Sequence, residues 1–237
     1  MIGAKVFDQL GENDKKQFLQ MHWVVRIAQK GAALIDQGQD RSFVSVFLSG
    51  WAFRYQTLPD GKRQILDFLL PGALIGFGSG ETNWYGVETV TNCTVASLPL
   101  ASFYRLLSEC PPLAIRVAEC VAMSEMRAHE HMTTLGRRNA RERVAALIIE
   151  LTSRTQLKKL ASEANALELP ITQVMIGDAL GLSNEHVCRT LARLAEDGVL
   201  ELNRHALRVL DPVALAEEAG VDIDVPQSQR KQLALAA

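Results

Sequence analysis

The spacing of hydrophobic and polar positions changes twice along the chain. In the first hundred residues, four short runs alternate between apolar and polar positions, at 42–49, 51–57, 63–70 and 87–98. Turn signals separate them: Ser49-Gly50, Pro59-Asp60-Gly61 and Pro71-Gly72. Runs of this length and spacing predict an antiparallel sandwich or roll over residues 1–110. Asp60-Gly61, lying between Tyr55 and Ile65, is the clearest hairpin tip. Eleven of the 16 glycines fall in this stretch, and residues 77–85, rich in Gly, Ser and Asn, predict a loop or cavity lid.

The period lengthens after residue 110. From Pro112 to Gly136 the chain has no internal Pro or Gly, and Pro112 suits the first position of a helix. A helix of about 24 residues is roughly 36 Å long. One stripe runs Leu113, Val117, Cys120, Ser124, Ala128, His131, Leu135, and a second runs Ile115, Ala118, Ala122, Met126, His129. Two apolar stripes suit a helix that touches its own domain and a partner helix. The stripe Val117, Cys120, Ser124, Ala128, His131, Leu135 is assigned to a dimer contact, because its small residues permit close approach. The dimerisation helix is placed at 111–136, and Gly136-Arg137-Arg138-Asn139 is expected to be a hinge. A further helix follows, with Ala140, Val144, Leu147, Ile148 and Leu151 on one face. Residues 155–168 are expected to be irregular. Residues 213–237 read as a C-terminal extension whose last ten or so residues are expected to be disordered.

The most informative stretch is 170–210. Thr172 is a plausible N-cap, Ile176, Ala179 and Leu180 form an apolar face, and Gly181 supplies a left-handed helix end. Ser183 caps the next helix, and Gly198 ends it. Two short helices joined by a turn at this spacing predict a helix-turn-helix, and 199–202 with 206–210 predict the hairpin of a winged helix. In the second helix Val187, Leu191 and Leu194 share one face, leaving Glu185, Arg189 and Ala192 opposite. A carboxylate accepts from cytosine N4 and a guanidinium donates twice to guanine, so Glu185 and Arg189 are candidate base readers. An exposed ion pair at this spacing is common in itself. The caps, faces and wing around it point to DNA, and the domain is placed at 137–212. Phosphate contacts are expected from Arg137, Arg138, Thr172, Gln173, Ser183, Arg193 and the wing residues Arg204 and His205.

Composition narrows the class. Hydrophobic residues make up 48% of the 237 and charged residues 22%, which suits two globular modules rather than a disordered chain. The net charge of −2 names no partner; only 137–210 has a small basic excess, 11 Lys/Arg against 9 Asp/Glu. Four cysteines, at 93, 110, 120 and 188, form no CxxC and no zinc spacing. There is no signal-peptide pattern and no apolar run near the ~18 residues of a membrane span. The expectation is a soluble cytoplasmic protein with reduced thiols, no membrane contact and no metal. No nucleophile–base motif, phosphate loop or ligand set marks an enzyme.

The Gly-rich roll, the long helix, Arg137-Arg138-Asn139-Ala140-Arg141-Glu142-Arg143-Val144-Ala145 and the Glu185-x-x-x-Arg189 helix resemble the Crp/Fnr transcription regulators, most nearly the Fnr/FixK branch. The resemblance covers about residues 20–212. It implies an α+β fold: an antiparallel β-roll of the cyclic-nucleotide-binding type, a dimerisation helix and a C-terminal winged helix-turn-helix. It implies a homodimeric activator on double-stranded DNA, with Glu185 and Arg189 reading a TTGA-like inverted repeat. RNA polymerase would be touched through the hairpin near Asp60 or an exposed helix of the C-terminal domain. Departures exclude some ligands. Cyclic-nucleotide-binding members hold the phosphate with an arginine, whereas Tyr85-Gly86-Val87-Glu88-Thr89-Val90 has none and adds a carboxylate. The first cysteine is Cys93, too late for the N-terminal cluster of oxygen-sensing members. No cofactor is expected. An effector-dependent sensor of the same fold stays open, with His22, His129 and His131 as the haem-ligand candidates. Cys188, where many relatives carry serine, is a third candidate at the base-reading surface. Its oxidation beside Arg189 and Arg193 would add bulk and negative charge, whereas a plain replacement of serine would do nothing. Cys93, Cys110 and Cys120 sit among apolar neighbours and read as core.

Overall fold

The computed structural model describes residues 18–155, 168–203 and 206–221. The chain forms two compact units divided between His131 and Met132, within one long helix. The expected disorder at the C-terminal end, most of 155–168, and the wing residues Arg204 and His205 lie outside the described residues.

In the first unit the strands are β1 (Val24–Ala28), β2 (Ala33–Ile35), β3 (Phe43–Ser49), β4 (Ala52–Thr57), β5 (Arg63–Leu69), β6 (Leu74–Ile75), β7 (Gly86–Thr89) and β8 (Cys93–Pro99). They make two antiparallel four-stranded sheets, in orders β1-β8-β3-β6 and β2-β7-β4-β5. One core cluster gathers Phe47, Ala52, Leu69, Ile75, Val87 and Val95, inward positions of alternating strands from both sheets. The hairpin joining β4 and β5 turns at Asp60-Gly61, where Asp60 Oδ1 accepts from Lys62 N at 3.1 Å and Gly61 has φ +82°.

The alternating run 87–98 is two strands rather than one. β7 pairs with β2 and β4, while β8 pairs with β1 and β3 in the other sheet. The chain changes sheet at residues 90–92, where Val90 N donates to Trp51 O at 2.7 Å. Gly50 makes room for this corner: its φ is +90°, and a Cβ there would lie 2.4 Å from Asn92 O. Alternation continues through such a corner, so the pattern alone does not reveal it.

Helix α1 (Leu100–Glu109) follows β8, and α2 spans Pro111–Arg137. Phe103, Leu106, Leu113 and Val117 from these helices pack with Val44 and Leu98 of the first sheet. Gly136 lies inside α2; the expected hinge narrows to Arg138-Asn139.

The second unit continues with α3 (Ala140–Arg154), β9 (Glu168–Leu169), α4 (Gln173–Leu180), α5 (Asn184–Glu196), β10 (Leu200–Asn203), β11 (Ala206–Val209) and α6 (Pro212–Ala219). Asn139 opens α3 with a reciprocal cap: its Oδ1 accepts from Arg141 N and Glu142 N, and Glu142 Oε2 accepts from Asn139 N. β10 and β11 form the hairpin, and β9 adds a third strand through Leu207↔Leu169. Val144, Ile148 and Leu151 are buried, as are Ile176, Leu180, Val187, Leu191, Leu194 and Leu215. Helix α6 lies in the stretch read as an extension, yet its Leu215, Ala216 and Ala219 are buried.

Gly177 sets the separation of α4 from the turn that follows. Leu182 N donates to Gly177 O at 3.1 Å, and a Cβ on Gly177 would lie 2.7 Å from Leu182 O. Replacing Gly177 by alanine favours the helix locally by under about 1 kcal/mol but forces the turn open. We expect Gly177→Ala to lower unfolding stability by about 1–3 kcal/mol, the usual cost of overpacking. Chemical denaturation of the full chain reads this directly, and unchanged stability would show that the turn has slack.

Candidate nucleic-acid interface

The recognition surface is built by its caps. Thr172 Oγ1 accepts from Met175 N at 3.2 Å and starts α4; Gly181, with φ +64°, stops it. Ser183 Oγ accepts from His186 N at 3.3 Å and starts α5. Val187, Thr190, Leu191 and Leu194 are buried, which fixes the rotation of α5. Glu185, Cys188, Arg189 and Arg193 are consequently exposed on its other side.

Arg189 Nη2 donates to Glu185 Oε1 at 2.5 Å, with side chains 55% and 82% exposed. A pair so open to water adds little stability. Its arrangement leaves most guanidinium N–H groups and one carboxylate oxygen for a base pair. Glu185 sits in the first turn, where the helix dipole favours negative charge. Asn184, the first residue of α5, is exposed beside them and was not singled out by the helical faces, because a first-turn residue escapes burial whatever its angle.

Cys188 is exposed, but its thiol is engaged: Sγ donates to Gln173 Oε1 at 2.9 Å, across the turn. The thiol expected at the base-reading surface is therefore exposed there, with its S–H directed to a protein acceptor. Among the expected phosphate contacts, Thr172, Ser183, Arg137 and Arg193 are exposed and Gln173 is half-buried. Arg138 is half-buried and donates from Nη1 to Thr134 Oγ1 at 2.6 Å.

Two arginines of the 137–145 motif hold this surface from behind. Arg141 meets Asp197 Oδ2 at 2.7 Å, just beyond α5, and Glu218 Oε1 at 2.8 Å on α6. The bond to Glu218 is the main cause that raises the Arg141 pKa above its ordinary value, against the opposing effect of burial. Arg143 Nε donates to Arg138 O at 2.7 Å, and its Nη1 reaches Leu180 O at 3.4 Å, at the end of α4. Asp197, Glu218 and Leu180 lie far from these arginines in sequence, so periodicity gave no sign of them.

In the first unit, Glu88 on β7 pairs with Arg63 of β5 at 3.5 Å, and Arg63 also covers the Phe53 ring at 4.8 Å. A phosphate at Tyr85–Val90 would meet the Glu88 carboxylate, and the arginine beside it is already paired. These residues do not fit a cyclic nucleotide. His22 and His129 are exposed and His131 is half-buried. Cys93 and Cys110 are buried, and Cys93 Sγ donates to Trp51 O at 3.1 Å. Burial pushes the thiols of Cys93 and Cys120 up. Cys120 also lines a cavity of about 20 Å³ with Val46, Phe103, Leu113 and Val117, room for roughly one water.

The stripe assigned to the dimer contact is redistributed by the packing. Val117 is buried in its own unit's core, Cys120, Ser124, His131 and Leu135 are half-buried, and only Ala128 is exposed. The other stripe is the open one: Ile115 and Met126 are 60% and 61% exposed, with Ala118, Ala122 and His129 exposed between and beyond them. The sequence marked two faces, and the roll took the one that carries Leu113 and Val117. No helix among the described residues is long and apolar enough to cross a membrane.

Comparison with known proteins agrees with this architecture. A cyclic nucleotide-binding domain model matches residues 25–110, and a Crp-like helix-turn-helix domain model matches 142–218. The chain is 30% identical to the transcriptional activatory protein AadR of Rhodopseudomonas palustris, over 89% of this chain and 87% of that one. It is 35% identical to the nitrogen fixation regulation protein FixK of Bradyrhizobium diazoefficiens, over 72% and 71% of the two chains. The structure of FixK2 from Bradyrhizobium japonicum superposes with a TM-score of 0.75 at 26% identity, covering 87% of this chain and all of that one.

Proposed function

Because the chain belongs to the Crp/Fnr family of transcription regulators, we propose that it is a transcription activator that binds double-stranded DNA as a homodimer. Its site is a TTGA-like inverted repeat, read without cyclic nucleotide or iron–sulfur cluster. The carrying observation is the exposed Glu185–Arg189 pair on a helix whose opposite face is buried. The one G·C pair of TTGA offers a guanine to Arg189 and a cytosine N4 to Glu185, so one base pair meets both partners. In a two-fold dimer the two α5 helices sit about 34 Å apart, one turn of DNA. Arg137, Thr172, Gln173, Ser183 and Arg193 hold the register on phosphates. The exposed stripe Ile115, Ala118, Ala122, Met126, His129 supplies the dimer contact, and its two alanines let the helices approach. RNA polymerase is the second partner, met through the hairpin near Asp60 or an exposed helix of the DNA-binding unit.

Titrating the reduced, ligand-free protein against a TTGAT-N4-ATCAA duplex and a scrambled duplex at one salt concentration tests the reading. We expect preference for the palindrome. Arg189→Ala should reduce that preference roughly tenfold or more, the worth of a bidentate base contact. Equal weak binding by the native protein would favour the effector-dependent sensor instead.

Met126 is exposed here and would be covered in the proposed dimer, so Met126→Glu is expected to shift the protein to monomers and weaken binding to the palindrome. Sedimentation checks the first effect, and an unchanged dimer would place the contact elsewhere.

Exposure of Cys188 beside the DNA-facing arginines predicts redox sensitivity. Hydrogen peroxide transfers one oxygen to the thiol, giving the sulfenic acid and water, and a second equivalent gives the sulfinate. Binding should fall after peroxide treatment in the native protein and persist in Cys188→Ser. Equal loss in both would remove Cys188 from the response.

A further inference from the structure

A side-chain hydrogen bond joins helices α4 and α5, from Cys188 Sγ to Gln173 Oε1 at 2.9 Å. Gln173 is the first residue of α4, next to the capping Thr172. A primary amide has one accepting end and one donating end. The two ends lie on opposite sides of Cδ, so holding Oε1 at the thiol turns Nε2 away from it. Among the described residues Nε2 has no hydrogen-bond partner. Phosphate oxygens accept hydrogen bonds. An NH₂ facing them binds, and a carbonyl facing them repels.

A thiol is suited to sort the two ends. Its S–H donates, while its sulfur accepts only weakly, so it selects the carbonyl of the amide over the NH₂. We propose that Cys188 is a positioning residue: it fixes the Gln173 amide with Nε2 presented to a DNA phosphate. This rests on the DNA-binding reading above and adds to it a role for the reduced thiol. A neutral amide releases no counterion, so the contact adds affinity without steepening the salt dependence. It also adds no base preference, since phosphates carry no sequence information directly.

The test compares the full-length native protein with Gln173→Ala, Cys188→Ala, Cys188→Ser and the double alanine variant, all reduced. Binding to the palindromic and the scrambled duplex is measured across salt concentrations. In parallel, the infrared S–H stretch of Cys188 is isolated as the difference between native and Cys188→Ser spectra. We expect either alanine variant to lose about three- to tenfold in affinity, the worth of one hydrogen bond. The loss should be equal on both duplexes, with unchanged salt slope. The double variant should be no weaker than either single one, and Cys188→Ser should recover most of the binding. The S–H band should shift when Gln173 becomes alanine, with or without DNA. Losses that multiply in the double variant, a serine no better than alanine, or a loss confined to the palindrome would each overturn the proposal. So would an S–H band unmoved by Gln173→Ala, even with DNA binding intact. A native protein that binds neither duplex, with the band shifting as expected, would instead show that the DNA reading failed; the bond would then be only a tie between helices.

Discussion

Close packing across the turn between α4 and α5 governs what this protein can present to a ligand. Leu182 O lies 2.7 Å from where a Cβ on residue 177 would begin, so any side chain there forces the turn to shift. With the turn closed, Val187, Leu191 and Leu194 reach the interior and stay dry. Burial of those three side chains is worth several kcal/mol in total, far more than any exposed pair on the opposite face. The orientation of Glu185 and Arg189 is therefore decided by apolar packing beneath them, and their own ion pair follows from it.

The same unit is tied by arginines whose sequence neighbourhood suggested DNA contact. Arg141 spans Asp197 and Glu218, and Arg143 spans Arg138 and Leu180, each through its guanidinium. A planar group with five fixed donors suits such bridging better than a lysine would. The motif thus divides its labour: two arginines hold the helices together, and Arg137 stays exposed at the end of α2. Helix α6 enters the unit through the same bridge, since Glu218 lies on it.

Helix α2 shows how one element is shared between two demands. Its Leu113 and Val117 close the roll's core beside Phe103 and Leu106. The face carrying Ile115 and Met126 remains open, and the small Ala118 and Ala122 lie along it. This 27-residue helix carries apolar residues on two sides, and the core of the first unit covers one of them. In the DNA-binding unit, by contrast, the one exposed thiol lies against a glutamine, so a small polar contact links α5 to its neighbour α4.

Much of this was legible in the residues alone. Thr172, Gly181 and Ser183 are local signals, set by cap chemistry and φ preference, and each acts where the sequence places it. Helical faces, the Asp60-Gly61 turn and the three strands 43–49, 52–57 and 63–69 are local in the same sense, because period and turn type depend on near neighbours. What needed the tertiary structure was every choice between equivalent local options. Alternation could not show that 87–98 changes sheet at residues 90–92, because both strands keep the same period. Periodicity marked two stripes on α2 but not which one the roll would cover. Short strands such as β2 and β6 gain definition only from the partners they pair with. The partners of Arg141, and the acceptor of the Cys188 thiol 15 residues away, depend on contacts between helices. Sequence determined the elements and the chemistry they carry. Packing decided which side chains remained free to meet a partner, because burial is a property of the whole fold.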